Sequence, residues 1–93
     1  MVVIVAYDIS REEVRGRVRR FLRNMGLSMV NRSVYAGVGG ERQAKKIAER
    51  LKKLLEENDN AFIIVVNEET YNRAYIVTQG DYIRVQDRRY EII

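Results

Sequence analysis

The sequence contains no cysteine, histidine, proline or tryptophan. Without thiols there are no disulfides and no thiolate metal sites. Without imidazoles there is no Cys–His or Ser–His–Asp nucleophile and no imidazole general base. An enzyme built from these 93 residues works with carboxylates, hydroxyls, arginines and a hard metal ion. No apolar run approaches the ~18 residues that a membrane span needs. The opening Met-Val-Val-Ile-Val-Ala-Tyr-Asp lacks a basic flank and a cleavage site, and its apolar run is strand-length. A cytoplasmic protein with no membrane partner is therefore expected. No linker, repeat or low-complexity stretch divides the chain, so residues 1–93 are read as one domain.

The charge is concentrated. The net charge is +4, and between Arg11 and Arg23 six arginines (Arg11, Arg15, Arg17, Arg19, Arg20 and Arg23) face only Glu12 and Glu13. That segment carries the whole excess. Arginine's planar fork suits bidentate phosphate contact better than lysine's point charge does. A basic stripe on one helix is the electrostatic footprint of nucleic-acid binding, although a solvated helix face has the same composition.

Residues 2–7 form a continuous apolar, β-branched run, as in a central strand buried on both faces. Ser10 and Glu13 fit a capping box, which places a helix start at Ser10. Val14, Val18, Phe21, Leu22 and Met25 give that helix one apolar face, with Asn24 and Gly26 at its C-cap. On a helical wheel Arg15 and Arg17 flank the apolar stripe, while Arg19, Arg20 and Arg23 point away from it. Leu27 to Val30 and Ser33 to Val38 read as two short strands. After Gly39-Gly40, a stripe of Ala44, Ile47, Ala48, Leu51, Leu54 and Leu55 predicts a second helix. Phe62 to Val66 reads as a further buried strand, followed by Ala74 to Thr78, a turn at Gln79-Gly80-Asp81, and Tyr82 to Val85. The order is α+β: a ferredoxin-like βαββαβ with extra C-terminal strands, an antiparallel sheet and two helices on one of its faces. The surplus strands can cover a sheet edge or add to a neighbour's sheet, so a homodimer is expected, with 79–93 as the exchange or tail segment.

Asp8 closes the first strand ahead of a helix N-terminus, where an anion is favoured. Its oxygens suit Mg²⁺ or Mn²⁺, and a two-fold axis near the strand end would bring two such carboxylates together. The competing reading makes Asp8 a helix cap or an Asx-turn. Strand alternation turns Tyr7 to the opposite face, into the core. Ser33 could hydrogen-bond a phosphate, and Tyr35 could stack on a base or pack within the sheet, with packing preferred.

Tyr7-Asp8-Ile9-Ser10, the pattern Arg15-x-Arg17-Val18-x-x-Phe21-Leu22, and Ser33-Val34-Tyr35-Ala36-Gly37 stand in this order along the chain. Together they resemble the second core CRISPR-associated family, the small endoribonuclease-like partner of the CRISPR integrase. The resemblance implies a homodimer exchanging its C-terminal strands, with Asp8 of each protomer as the Mg²⁺ or Mn²⁺ ligand. It also implies catalytic or nucleic-acid contacts at Arg15 and Arg17, single-stranded RNA or duplex DNA as substrate, and a role with the integrase in spacer acquisition. Tyr35 stands where phenylalanine is usual, Asn31 where glutamine is frequent, Ala36 where several relatives carry glutamate, and Met29 where some active relatives carry arginine. The resulting expectation is a metal-dependent nuclease with Asp8, Arg15 and Arg17 as catalytic residues. Arg15, Arg17, Arg19, Arg20, Arg23, Ser33 and Tyr35 are the expected nucleic-acid contacts. The alternatives are a non-catalytic duplex-DNA scaffold for the integrase and a toxin-like ribonuclease of the same shape.

Overall fold

The structure is a computed structural model and describes residues 1–88. Its elements run β1 (Val2–Asp8), α1 (Glu12–Asn24), β2 (Ser28–Asn31), β3 (Val34–Val38), α2 (Glu41–Leu54) and β4 (Asn60–Val66). A short α3 (Glu68–Asn72), β5 (Tyr75–Thr78), β6 (Asp81–Arg84) and a single 3₁₀ turn (Val85–Asp87) follow. The first four strands form an antiparallel sheet in the order β2-β3-β1-β4, which is the expected ferredoxin-like arrangement. Among the described residues, β5 and β6 pair only with each other.

Apolar periodicity decides which faces meet. Val3, Val5 and Tyr7 alternate along β1 toward the helices. There they pack with Val14, Val18 and Leu22 of α1, with Ala44, Ile47 and Leu51 of α2, and with Tyr35 of β3. The α1 C-terminus is closed by a Schellman motif. Gly26 N–H donates to the Arg23 carbonyl and Leu27 N–H to that of Leu22, both at 3.0 Å, and Gly26 takes φ +91°. That left-handed backbone favours glycine, and Leu22 with Leu27 supplies the buried contact that accompanies the motif.

Four expectations are corrected. Helix α1 begins at Glu12 with Arg11 at the N-cap and no side-chain cap, so the Ser10–Glu13 capping box does not form. The loop is held from elsewhere: Ser10 N–H donates to Asp59 Oδ1 at 3.2 Å, and Glu13 pairs with Arg11 at 3.5 Å. In α2, Ala48 is exposed and falls outside the apolar stripe. Strand β4 is not buried on both faces: Ala61, Ile63 and Val65 pack toward the core, but Phe62 is 65% and Ile64 43% exposed. The register sets Phe62 opposite Ala6 and Ile64 opposite Ile4, both half-buried. The other face of β1 is covered less completely, with Val2 buried but Ile4 and Ala6 half-buried and Asp8 exposed, because both main helices lie on the first face. Helix α3 is an addition to the expected elements.

Tyr35 is fully buried, and its ring stacks on that of Tyr7 with centroids 6.3 Å apart. This is the packing alternative, and it leaves no ring surface for a base. The Tyr35 hydroxyl has no hydrogen-bond partner among the described residues. A buried unpaired hydroxyl costs more than a methine in its place, so Tyr35→Phe is expected to raise stability by about 1 kcal/mol. Thermal unfolding checks this; a clear fall in Tm would mean that the hydroxyl is satisfied in solution.

Candidate nucleic-acid interface at the β1–α1 junction

Strand alternation separates two consecutive residues. Tyr7 goes inward, where its ring is buried. Asp8 goes outward and is exposed, on the same sheet face as Ile4, Ala6, Phe62 and Ile64. Among the described residues no hydrogen bond or ion pair engages the Asp8 carboxylate. The helix-cap reading of Asp8 is thus not realised, and its oxygens are available.

The hydroxyl of Tyr7 surfaces at the floor of an open pocket of about 350 Å³. The pocket is lined by Asp8 and Ile9 from the end of β1, by Glu12, Arg15 and Arg19 from α1, and by Arg32 and Ser33 from the β2–β3 turn. Tyr7 Oη donates to the Arg32 carbonyl at 3.1 Å and accepts from Arg19 Nε at 3.4 Å. Arg19 therefore turns toward the strand, against the expectation that it points away. The phenol, invisible to a helical wheel, draws it in. This hydrogen bond is the largest cause holding the Arg19 guanidinium above its ordinary pKa.

Arg15 reaches the same place by another route. Its Nη1 donates to the carbonyls of Ile9, at 2.7 Å, and Ser10, at 3.1 Å. Its Nε and Nη2 donate to Glu12 Oε1 at 3.1 and 2.8 Å. Through the Ile9 and Ser10 carbonyls Arg15 thus clamps the loop that leaves Asp8. Arg19 Nη1 lies 3.3 Å from Glu12 Oε2, so one carboxylate bridges two guanidiniums. Asp8 and Glu12 against Arg15, Arg19 and Arg32 leave the pocket one positive charge in excess.

The six arginines do not form one stripe. Arg11 is tied to Glu56 at 2.9 Å, on the other side of the loop. Arg17, Arg20 and Arg23 are exposed, lie outside the pocket and make no ion pair among the described residues. Ser33 lines the pocket from the β2–β3 turn, and its carbonyl accepts from Tyr7 N–H at 3.0 Å. Sequence reasoning missed the Tyr7 hydroxyl, Arg32 and Glu12. Tyr7 was assigned wholly to the core, Arg32 lies outside the arginine-rich helix, and Glu12 registered only as charge. The spacing of Glu12 and Arg15, three apart on a helix, was the available signal.

A family model described as CRISPR associated protein Cas2 matches residues 1–74. The chain belongs to the Cas2 family. A CRISPR-associated endoribonuclease Cas2 from Thermofilum pendens is 54% identical over 92 residues, covering 99% of each chain. A CRISPR-associated endonuclease Cas1/endonuclease Cas2 fusion from Thermoproteus tenax is 43% identical over 53 residues, covering 57% of this chain and 20% of that one. Among solved structures, one described as cas2 superimposes with a TM-score of 0.71 at 27% identity, covering 100% of this chain and 98% of that one. The family match stops at the β5 boundary, whereas the Thermofilum relative carries the likeness through β5 and β6.

The donor chemistry fits the divalent cation expected from the sequence in part. Asp8 is an exposed, unengaged carboxylate of the hard-oxygen type that Mg²⁺ and Mn²⁺ prefer. No group of three or more acidic side chains gathers among the described residues. Asp8 is then the one unengaged carboxylate that a single protomer offers in this pocket, Glu12 being held by Arg15 and Arg19, and water and phosphate oxygens would supply most of the shell.

The Arg15 hydrogen bond is the largest cause holding the Glu12 carboxyl below the usual glutamate range. A depressed folded-state pKa gives stability that is present above the unfolded value and lost as pH falls through the folded one. With Glu12 exposed to solvent the stability effect is small, but the titration itself is observable. In an NMR pH series the Glu12 carboxyl carbon is expected to titrate below an ordinary glutamate and to return upward in Arg15→Gln. A midpoint indifferent to Arg15 contradicts the pairing.

Proposed function

We propose that this chain is a Cas2-type endoribonuclease or endonuclease that hydrolyses phosphodiester bonds as a homodimer, at paired Asp8 carboxylates holding Mg²⁺ or Mn²⁺, and that it works with a Cas1-type integrase in CRISPR spacer acquisition. The observation that carries the reading is the position of Asp8: exposed, unengaged, and on the apolar sheet face that the helices leave uncovered. The names of the Thermofilum and Thermoproteus relatives support the activity and the integrase partner respectively.

Three features support a dimer on that face. Phe62 and Ile64 stand exposed beside Ile4 and Ala6. Strand β4 is an edge with one side unpaired. The β5–β6 hairpin forms a separate two-stranded sheet that exposes Tyr75, Val77, Tyr82 and Ile83, and an isolated hairpin is marginally stable at best. In the proposed assembly the two open faces meet and each hairpin extends the partner's β4 edge. Part of the expected exchange segment, 79–93, lies outside the described residues.

In this reading Asp8 of each protomer holds the cation. The cation, when bound, polarises a phosphoryl oxygen and lowers the pKa of water. Arg15 keeps the loop after Asp8 in place through the Ile9 and Ser10 carbonyls, so its part is to position the carboxylate. Arg17, unpaired among the described residues, is left to meet the phosphate backbone from outside the pocket. With no histidine in the chain, the departing oxygen takes its proton from solvent, which makes turnover slow, and the need to deprotonate the attacking water makes it rise toward alkaline pH. The second reading, a duplex-DNA scaffold for the integrase, is favoured by Arg17, Arg20 and Arg23, whose positions suit sequence-independent phosphate contact.

The test is cleavage and binding of labelled single-stranded RNA and duplex DNA by the parent and Asp8→Asn, each with Mg²⁺ and with EDTA. Metal-dependent cleavage is expected in the parent and is expected to fall at least about a hundredfold in Asp8→Asn, with binding retained. Cleavage unchanged in Asp8→Asn sinks the proposed site. Salt-sensitive duplex binding equal in both proteins, with no cleavage, makes the chain a scaffold.

A further inference from the structure

The pocket beside Asp8 holds its cations and its anion in different ways. Arg15 is fixed by two backbone carbonyls, Ile9 and Ser10, and Arg19 by the Tyr7 hydroxyl. All three anchors are neutral and stay in place whatever happens to Glu12. Among the described residues Glu12 itself is held only by those two guanidiniums, and its side chain is 68% exposed. Its carboxylate takes two bonds from the Arg15 fork, at 3.1 and 2.8 Å, and a contact of 3.3 Å from Arg19. One anion offering a separate oxygen to each of two guanidiniums is an arrangement that the oxygens of a phosphate can also satisfy.

We propose that Glu12 is an internal stand-in for a backbone phosphate, masking a phosphodiester-binding subsite formed by Arg15 and Arg19 that nucleic acid opens by displacing it. The inference rests on the reading that this pocket receives nucleic acid, and it names where one phosphate sits. A phosphodiester carries the same single negative charge as the carboxylate, so the exchange leaves the charge of the pocket unchanged. Arg32 and Ser33, from the β2–β3 turn, line the same pocket of about 350 Å³. Asp8 at the rim lies beside it. The fold does not need the Glu12 bridge: exposed ion pairs contribute little to stability. The favourable interaction of an acidic first turn with the helix dipole is supplied equally by Glu13. Without the substitute anion, however, two close guanidiniums would repel each other in the unliganded protein.

Glu13 provides the control. It carries the same charge one residue along and pairs with Arg11, away from the pocket. The experiment is equilibrium binding in EDTA, so that cleavage does not enter. The probes are a labelled single-stranded RNA and a duplex DNA of equal length. The proteins are the parent, Glu12→Gln, Glu12→Ala and Glu13→Gln, with the Glu12→Gln comparison repeated in an Arg19→Gln background. Removing a competing charge at the subsite is expected to tighten binding roughly five- to tenfold in both Glu12 variants. Glu13→Gln, acting only through the screened field, is expected to change it less than about twofold. The Glu12→Gln gain is expected to disappear without Arg19. Whichever probe shows the gain identifies the backbone that occupies the subsite. Equal effects at Glu12 and Glu13, a gain that survives loss of Arg19, or weaker binding in both Glu12 variants overturns the inference while leaving Asp8 untouched. A parent that binds neither probe overturns the functional reading along with it.

Discussion

The alternation of side chains at the end of β1 governs the site. Tyr7 turns into the core, and its hydroxyl emerges beneath α1, where it accepts from Arg19 and donates to the Arg32 carbonyl. Asp8, one residue on, turns to the uncovered face and meets no side-chain partner among the described residues. A shift of one residue in the β1 register would exchange these two environments, burying a carboxylate and exposing a phenol. The register is held by the apolar residues upstream: Val3 and Val5 are fully buried among the helices and fix the phase of Tyr7 and Asp8. Core packing thus places the candidate chemistry without touching it.

The second constraint is one-sidedness. Both main helices cover the same face of a four-stranded sheet, and the opposite face carries Ile4, Ala6, Phe62 and Ile64 at its centre and Asp8 at its rim. Among the described residues, the apolar surface, the β4 edge and the separate β5–β6 hairpin are three incomplete structures in a small domain. In the proposed dimer a single two-fold operation completes all three and joins two Asp8 carboxylates, each of which alone is a meagre cation site. Assembly and chemistry then depend on the same surface.

Much of this was legible in the amino-acid order. The helical spacing of Val14, Val18 and Leu22, the β-branched run of β1 and the glycine at position 26 specify elements through local periodicity and backbone preference. Asp8 stood out because a carboxylate closes an apolar strand. What stayed hidden depends on distant partners. Ser10 and Glu13 have the spacing of a capping box, but Asp59 accepts from the Ser10 N–H that Glu13 would have capped. The direction of Arg19 follows from the Tyr7 hydroxyl, twelve residues away. Helix α3 has no apolar period; it is nucleated by Asn67, whose side chain accepts from Thr70 N–H at 2.7 Å, with Glu68 and Glu69 in its first turn. The exposure of Phe62 could not be read from a strand whose composition is that of a buried one.

The central claim is that two Asp8 residues face each other across the uncovered sheet face. The absence of cysteine makes a direct measurement possible, because Asp8→Cys introduces the only thiol in the chain. Treatment with a short homobifunctional maleimide, read on a denaturing gel, compares it with Arg20→Cys on the outer side of α1. The account predicts that Asp8→Cys is captured almost wholly as a covalent dimer under conditions that leave Arg20→Cys monomeric. Equal cross-linking of the two variants, or none at Asp8→Cys, would contradict it.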